Sequence, residues 1–494
     1  RLSEKASERL VFNFSFRLFH MKSKMILNTE ELVSVFHFPT PYLETPKIKF
    51  LTFKKAPPPP YLPEQGITIG VNDYRGLETP VRIAQDDRRR HFYVIGQTGT
   101  GKSFLMQNMM RQDMENGDGC CYVDPHGEAI EYVLGMVPKG RVDDVVVFDP
   151  SDIERPFGLN MLEFDPARPE QKTFIVNELL AILKTIYKDQ PEGFGPMFEQ
   201  YYKNAVLLLL DDYEHEIPTL ADIPRVLSDD KYRRDKLSRE TNMLVKNFWE
   251  LEAEKAGGEA ALANIVPYIA SKLNPFLAND YVRPIVSQQK STINFSDIMN
   301  NKKILFVNLS KGKIGDLNSQ LLGAFIVAKL TQAALSRVNI PEEQRNDFYL
   351  YIDEFQNYTT PSISTILSEA RKYKLCLNLA HQFIGQLPED ISKAVFGNVG
   401  SMAIFRVGPE DAEFLTQFFK PVFSDYDLIN LDSRNALIRL LINGTVTQPF
   451  NLTTTMKDLP NPSPEIARAV KELSRLKFGR ERAIIEEEIK ERYK

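Results

Sequence analysis

The sequence predicts an α/β fold: a mainly parallel sheet covered by helices on both faces. Three observations carry this. From His91 onward, short apolar runs alternate with helical periodicity, the pattern of βα units feeding a parallel sheet. The runs are near-continuous rather than alternating, as in strands buried on both faces. And residues 96–103 fit GxxxxGK[ST] directly after one such run and before a helical pattern, the loop–helix unit that cradles nucleotide phosphates.

Composition bounds the rest. The chain has 494 residues, more than one core holds, so at least two domains are expected. Hydrophobic residues make up 43% and charged residues 26%, ordinary for a globular protein. The net charge of −5 argues against gripping nucleic acid over the whole surface, so any DNA contact is local. Cys120, Cys121 and Cys376 form no CxxC pair, which excludes a disulfide framework and argues against zinc. No run of 18 apolar residues occurs, so no transmembrane helix is expected; the longest apolar segment, around 321–330, carries Lys329 and fits a buried helix. No signal peptide is visible, and the chain begins at Arg1, which is consistent with a fragment.

Along the chain, residues 1–55 read as a small β-rich segment with short strands at 11–19 and 32–38. Residues 56–66 form a proline-rich linker, in which Pro57 to Pro60 favour polyproline II and make a stiff spacer. A β segment at 66–70 leads into an ATPase core expected at 67–163 and 300–460. Its candidate strands are 91–95, 120–123, 145–148, 304–308, 348–352, 375–379 and 402–406. Between them, 164–299 shows helical periodicity at 172–187, 197–211, 219–227 and 260–277, and reads as an inserted α-helical domain. Residues 437–442 and 445–452 flank Asn443-Gly444, a hairpin signal because type I′ turns need positive φ at both central residues. Residues 461–494 read as a charged C-terminal helix with a solvated face.

The chemistry concentrates in a few places. In Gly96-Gln97-Thr98-Gly99-Thr100-Gly101-Lys102-Ser103 the glycines let the backbone wrap a phosphate, and the following helix offers free N–H groups and its positive dipole end. Lys102 is expected on the β/γ-phosphates and Ser103 on Mg²⁺, so ATP and Mg²⁺ are the expected cofactors. Residues 348–354 are an apolar strand ending in two acids: Asp353 to hold Mg²⁺, usually through water, and Glu354 to polarise the attacking water. Asp124-Pro-His126-Gly-Glu128 follows a buried strand, where acids lie near the ligand crevice of a parallel sheet; the alternative is a plain polar turn. No second His or Cys stands at metal-ligand spacing from His126. Gln382, after the strand 375–379, offers an amide to sense the γ-phosphate, against the alternative of a loop amide. Arg371 and Arg406 are arginine-finger candidates; a surface salt bridge competes for each. Arg88-Arg89-Arg90 precedes the P-loop strand, facing either the nucleotide or a neighbour. The cluster 231–239, interspersed with Asp229, Asp230 and Asp235, reads as a solvated helix face. Neither cluster alone shows DNA binding.

The segments HFYVIGQTGTGKS, YVDPHGE, YLYIDEFQNY, SEARKYKLCLNLAHQ and AIFRVGPEDAEFL occur in that order. Together they resemble the HerA–FtsK superfamily of ring ATPases, and within it most resemble the type IV secretion coupling proteins, the TraG/TraD-like conjugative DNA-transfer ATPases. The resemblance covers roughly residues 80–460. It implies a RecA-like core, a helical domain inserted before the Walker B strand, and a homo-hexamer around DNA. It also implies Lys102 and Ser103 on phosphate and Mg²⁺, Asp353 as Walker B acid, Glu354 as catalytic acid, Gln382 as sensor and Arg371 as a trans-acting arginine. Secretion-channel or relaxase-type protein partners follow from it, as does a place at the cytoplasmic face of the cell membrane. Membrane attachment is then expected only through a segment absent from this chain, since the family's N-terminal transmembrane helices are not seen. DPHGE with His126 leans toward HerA, where many coupling proteins carry Lys. The expected function is therefore an ATP-driven, conjugation-type DNA pump. The alternatives are a HerA-type translocase working with a nuclease, and a nucleotide-gated module that recruits secreted substrates.

Overall fold

In the computed structural model, which describes residues 3–18, 26–35, 52–253, 258–454 and 461–493, the apolar runs become strands. They are β1 (Ile67–Tyr74), β2 (Leu77–Ile83), β3 (Phe92–Ile95), β4 (Gly119–Asp124), β5 (Val145–Phe148), β6 (Ile304–Asn308), β7 (Phe348–Ile352), β8 (Leu375–His381), β9 (Ser401–Ile404), β10 (Asn435–Arg439), β11 (Leu441–Ile442), β12 (Thr445–Val446) and β13 (Phe450–Thr453). Eleven pair into one sheet in the order β2-β1-β13-β10-β9-β3-β8-β7-β4-β6-β5. From β9 to β5 every neighbour is parallel. From β9 outward to β2 the pairing is antiparallel. All residues of β3, β4, β5, β6, β7, β8 and β9 are buried. That is why these strands are apolar at successive positions instead of alternate ones.

Two groups of helices flank the sheet. Lys102–Glu115 packs with Glu128–Leu134, which in turn meets Pro464–Phe478. Its inward side chains Leu105, Met106, Met109, Met110 and Met114 are fully buried, each contributing roughly 1.5–3 kcal/mol. This anchoring fixes where the helix N-terminus points. In the second group Asp316–Leu335 packs against Glu170–Ile186, Phe295–Asn300 and Pro361–Tyr373. Asp316–Leu335 is buried around nearly its whole circumference, which is why it is apolar on all sides. It belongs to the one stretch among the described residues long and apolar enough to cross a membrane, and 78% of that stretch's apolar window is buried inside the protein. It is a core helix, as Lys329 within it suggests.

Between Glu170 and Asn300 the described residues contain helices and no strand. These helices join the sheet and its other helices in one compact unit, Thr52–Lys494; residues Arg1–Leu51 form another.

Three sequence expectations need correction. In the N-terminal unit, Glu4–Ser15 and Thr29–Val35 are helices, not strands. The second starts with a reciprocal cap: Glu31 N–H donates to Asn28 Oδ1, and Asn28 N–H to Glu31 Oε2, both at 2.9 Å. This capping box overrides the weak strand signal; residues 36–38 of that candidate strand lie outside the described residues. The proline tract is entered from a fixed point, since Ala56 N–H donates to Asn451 Oδ1 (2.9 Å) and Lys54 N–H to Asp427 Oδ1 (2.7 Å). The cluster 231–239 is solvated on one side only: Lys231, Arg234 and Asp235 are exposed, but Lys236 is 1% exposed and its ammonium pairs with Asp212 (2.9 Å) and Glu216 (2.8 Å). The C-terminal segment is two helices, Pro464–Phe478 and Arg482–Arg492, broken at Gly479. A Cβ there would lie 2.5 Å from Arg155 O. Both helices dock: Val147 N–H donates to Ser474 Oγ, and Arg492 pairs with the buried Asp222 at 2.7 Å. The Asn443-Gly444 hairpin forms between β11 and β12, with φ of 51° and 78° at its two central residues.

Candidate nucleotide-binding and hydrolysis site

The parallel registers put the sequence-predicted residues on one edge. Ile95 at the end of β3 lies opposite His381 in β8, and Ile352 at the end of β7 lies opposite Leu379. The P-loop, Asp353-Glu354 and Gln382 therefore all leave the sheet at its C-terminal edge, where open α/β sheets bind ligands.

The loop needs its glycines. Gly99 and Gly101 have φ of 74° and 118°, where a side chain is strained. A Cβ on Gly96 would lie 2.6 Å from Phe405 Cβ. The Thr100 hydroxyl donates to Gln97 O at 2.7 Å, and the Lys102 ammonium donates to Gly96 O (2.6 Å) and Gln97 O (3.2 Å). Burial lowers the pKa of Lys102, opposed by the nearby carboxylates of Asp353 and Glu354. The ammonium thus sits inside the loop, at the root of the helix that begins with Lys102.

Ser103 Oγ donates to Asp353 Oδ2 at 2.8 Å, and Asp353 Oδ1 accepts the Glu354 N–H at 3.0 Å. Burial pushes the Asp353 carboxyl up to about 6, against the pull of the Ser103 hydrogen bond and with help from the charges of Asp124 and Glu354. A hydroxyl and a carboxylate this close fit Mg²⁺, which takes one or two protein oxygens and completes its shell with water and phosphate. No group of three or more His, Cys, Asp or Glu among the described residues could cage a metal by itself. The donor set therefore suits an ion brought with a nucleotide.

Glu354 has φ of 49° and ψ of 49°, an uncommon conformation for a side-chain-bearing residue and one that often marks functional sites. Both its carboxylate oxygens accept amide donors. Gln382 Nε2 reaches Oε1 at 2.7 Å and Gln356 Nε2 reaches Oε2 at 2.6 Å. Asp124, 2% exposed, accepts the N–H groups of His126 (2.8 Å) and Ala129 (3.0 Å), so it both builds its turn and adds negative charge beside Asp353. His126 and Glu128 are exposed.

The arginines separate. Arg406 stands at the loop: its carbonyl accepts the Gln97 N–H at 2.8 Å and its Nε lies 3.3 Å from Gln97 Oε1. Arg371 lies on the opposite edge, because its helix runs back to the start of β8 and Lys374 N–H donates to Arg371 O. Arg88 and Arg89 are on that same far edge and do not face the site's P-loop. Arg88 is a buried bidentate partner of Asp113 (2.6 and 2.9 Å), and Arg89 pairs with Asp347 at 2.8 Å.

Sequence reasoning missed Gln356 and Arg434. Arg434 donates its N–H to Thr100 O at 2.7 Å and lays its guanidinium over the Phe104 ring. Gln356 had a signal, its place in the segment YLYIDEFQNY; Arg434, remote in sequence and at a φ of 64° that favours Asn or Gly, had none. Gln97, Thr98, Gln382, Phe383 and Asp411 help line a cavity of about 650 Å³ beside the loop.

The family described as "Helicase HerA, central domain" matches residues 67–330, and the one described as "TraM recognition site of TraD and TraG" matches 347–421. The type 4 coupling protein DotL of Legionella pneumophila is 34% identical over 88 residues, which are 17% of this chain and 11% of DotL. The chain thus spans about a tenth of that relative's length. Among solved structures, the plasmid coupling protein TrwB in complex with ADP and Mg²⁺ matches with a TM-score of 0.59 at 19% identity, over 81% of this chain and 92% of that one. VirB4 of Thermoanaerobacter pseudethanolicus matches with a TM-score of 0.51 at 15% identity, over 81% and 98%.

Proposed function

This chain belongs to the helicase HerA central-domain family, and we propose that it is an ATPase that pumps DNA as a coupling protein of a type IV secretion system. One observation carries the hydrolytic reading: Ser103 meets Asp353 at 2.8 Å and Gln382 meets Glu354 at 2.7 Å on the same sheet edge as the P-loop. That edge then holds a phosphate cradle, a metal-binding pair and a positioned acid together. The ligands are ATP and Mg²⁺, supported by the fold shared with TrwB, which has been solved with ADP and Mg²⁺ and with a non-hydrolysable ATP analogue.

In this reading Lys102 and the loop N–H groups bind the phosphates. Ser103 and Asp353 hold Mg²⁺, which would neutralise phosphate charge. Glu354 accepts a hydrogen bond from the attacking water, and Gln382 links its state to the γ-phosphate. The working form is a homo-hexameric ring, with Arg371 completing the site of the next subunit. Residues 164–299 act as a helical domain inserted in the core 67–163 and 300–460, with an exposed face toward DNA. The match of 347–421 to the TraD and TraG recognition family supports relaxase-type or secretion-channel partners, and with them a position at the cytoplasmic face of the membrane. A HerA-type translocase working with a nuclease is the second reading, favoured by the family match over 67–330.

The test is ATP turnover by the purified protein with and without DNA. Turnover lost in Lys102→Ala and raised severalfold by DNA is expected. Turnover indifferent to DNA points instead to a nucleotide-gated recruitment module, and no turnover at all overturns the hydrolytic reading.

A further inference from the structure

Glu354 is held from two sides, and only one of the two holders has a role so far. Gln382 comes from the end of β8; Gln356 comes from the turn Phe355–Tyr358 that follows Glu354 itself. That turn is rigid. Phe355 and Tyr358 are both 0% exposed, and Asn357 N–H donates back to Glu354 O at 3.0 Å. The Tyr358 ring fits only because Gly323 on the core helix has no side chain: a Cβ there would lie 2.2 Å from Tyr358 Cε1. Further along, the Thr360 and Ser362 hydroxyls donate to the buried Glu178 at 2.7 and 2.8 Å, which ties the end of the turn down.

On this rigid turn Gln356 donates Nε2 to Glu354 Oε2 at 2.6 Å, while its own Oε1 is buried with no partner among the described residues. A buried carbonyl without a partner costs about 1–3 kcal/mol. A glutamine kept only for packing would satisfy both ends or be replaced by an apolar residue of its shape. Here one end goes unsatisfied while the other reaches the carboxylate. A flexible glutamate must also lose about 1.5–2 kcal/mol of rotamer freedom to hold one geometry, and two amides arriving from different elements fix the plane of the carboxylate where one would leave it free to rotate.

We propose that Gln356 is a positioning residue for hydrolysis: it orients the Glu354 carboxylate toward the attacking water and acts through that carboxylate alone. This rests on the ATPase reading above.

The experiment is a double-mutant cycle on the full chain. Gln356→Met keeps length and loses the donor. It should lower kcat about 10- to 100-fold, with the affinity for a fluorescent ATP analogue within about twofold of wild type. In the Glu354→Gln background, the same substitution should change the residual rate by less than about twofold, because the group it orients is gone. A merely structural glutamine would lower rates by the same factor in both backgrounds. Gln356→Glu, polar and of equal length, guards against a folding defect in the Met variant and should lose kcat at least as severely. Wild-type kcat in Gln356→Met, or an undiminished effect in the Glu354→Gln background, overturns the proposal and leaves the ATPase reading intact. Absence of turnover in the wild-type protein overturns both.

Discussion

Replacing Glu354 with glutamine removes a charge while keeping the shape, and the structure says what that costs. The carboxylate accepts from Gln382 at 2.7 Å and from Gln356 at 2.6 Å. A glutamine at 354 has one acceptor oxygen, so one of those amides would face an N–H₂ group instead. A hydrogen bond to a charged acceptor is worth about 1.5–3 kcal/mol, and rotation of Gln356 recovers part of it, so stability should fall by about 1–2 kcal/mol at most. The rate suffers more. A positioned base contributes about 10²–10⁴, or roughly 3–5 kcal/mol of barrier. Nucleotide affinity rests on Lys102, Ser103 and the loop N–H groups, none of which touches the substituted atom, and should stay within about threefold. Phosphate release across a range of ATP concentrations gives kcat, and equilibrium titration with a fluorescent nucleotide gives affinity. If Glu354→Gln keeps more than about a tenth of kcat, Glu354 is not the base. If it no longer binds ATP, Glu354 belongs to the metal or to the fold, and its division of labour with Asp353 is wrong.

Lys102→Ala should weaken ATP binding and lower turnover by about 100-fold or more; wild-type turnover would remove the site assignment. Burial holds His91 and His381 down to about 4. Their folded values lie below the unfolded one, so their stability contribution is full above pH 6.5 and is lost as pH falls toward 4, about 2 kcal/mol each at pH 5. Asp353, pushed up to about 6, works in the opposite sense over that window, so the test is differential: urea titrations at pH 7.5 and 5.0 should show the pH dependence flattened by about 2 kcal/mol in His91→Gln, and an unchanged slope would refute it. Charge reversal across the exposed face of 164–299 should abolish stimulation of turnover by DNA while leaving the basal rate; retained stimulation would refute the role given to that face.

The strands most legible in the sequence were those whose environment is simplest. β5, β6 and β7 are buried at every residue, so uninterrupted apolar character marks them to the residue. The P-loop was legible because its geometry is local: eight consecutive residues supply glycines, lysine and hydroxyl. What the sequence hid is long-range. Nothing in 231–239 announces that Asp212 and Glu216 wait opposite Lys236, so the buried, ion-paired side of this helix went unread beside its exposed one. Arg434 reaches the P-loop through its backbone, which side-chain patterns do not report. The helix Thr29–Val35 was missed for a local reason, an Asn28–Glu31 cap in a segment of seven residues, too short for its periodicity to show.

Arg371 is the residue whose meaning depends most on geometry. Leu375 opens β8 opposite Phe348, and six residues later the strand ends at His381 beside the P-loop strand. At about 3.3 Å per residue, that separates Arg371 from its own nucleotide site by roughly 20 Å. Pairing with Asp353 in the same subunit is thereby ruled out. Among the described residues Glu369 pairs with Lys372 (3.9 Å), and no ion pair involves Arg371. Arg371 is exposed and helps line a cleft of about 890 Å³ with Asp86, Asp87 and Arg90. A head-to-tail ring joins unlike faces of successive subunits, so a guanidinium useless to its own site can serve the next one, where its planar fork can engage two phosphoryl oxygens. Arg406, already beside Gln97, is the cis competitor. Mixing separates them. In rings assembled from equal amounts of Arg371→Ala and Lys102→Ala subunits, about a quarter of the interfaces join an intact P-loop to an intact Arg371, so turnover should recover toward that fraction of the wild-type rate. No recovery, in mixtures that light scattering shows to form mixed rings, counts against action in trans. Full turnover by Arg371→Ala alone eliminates it and transfers the role to Arg406.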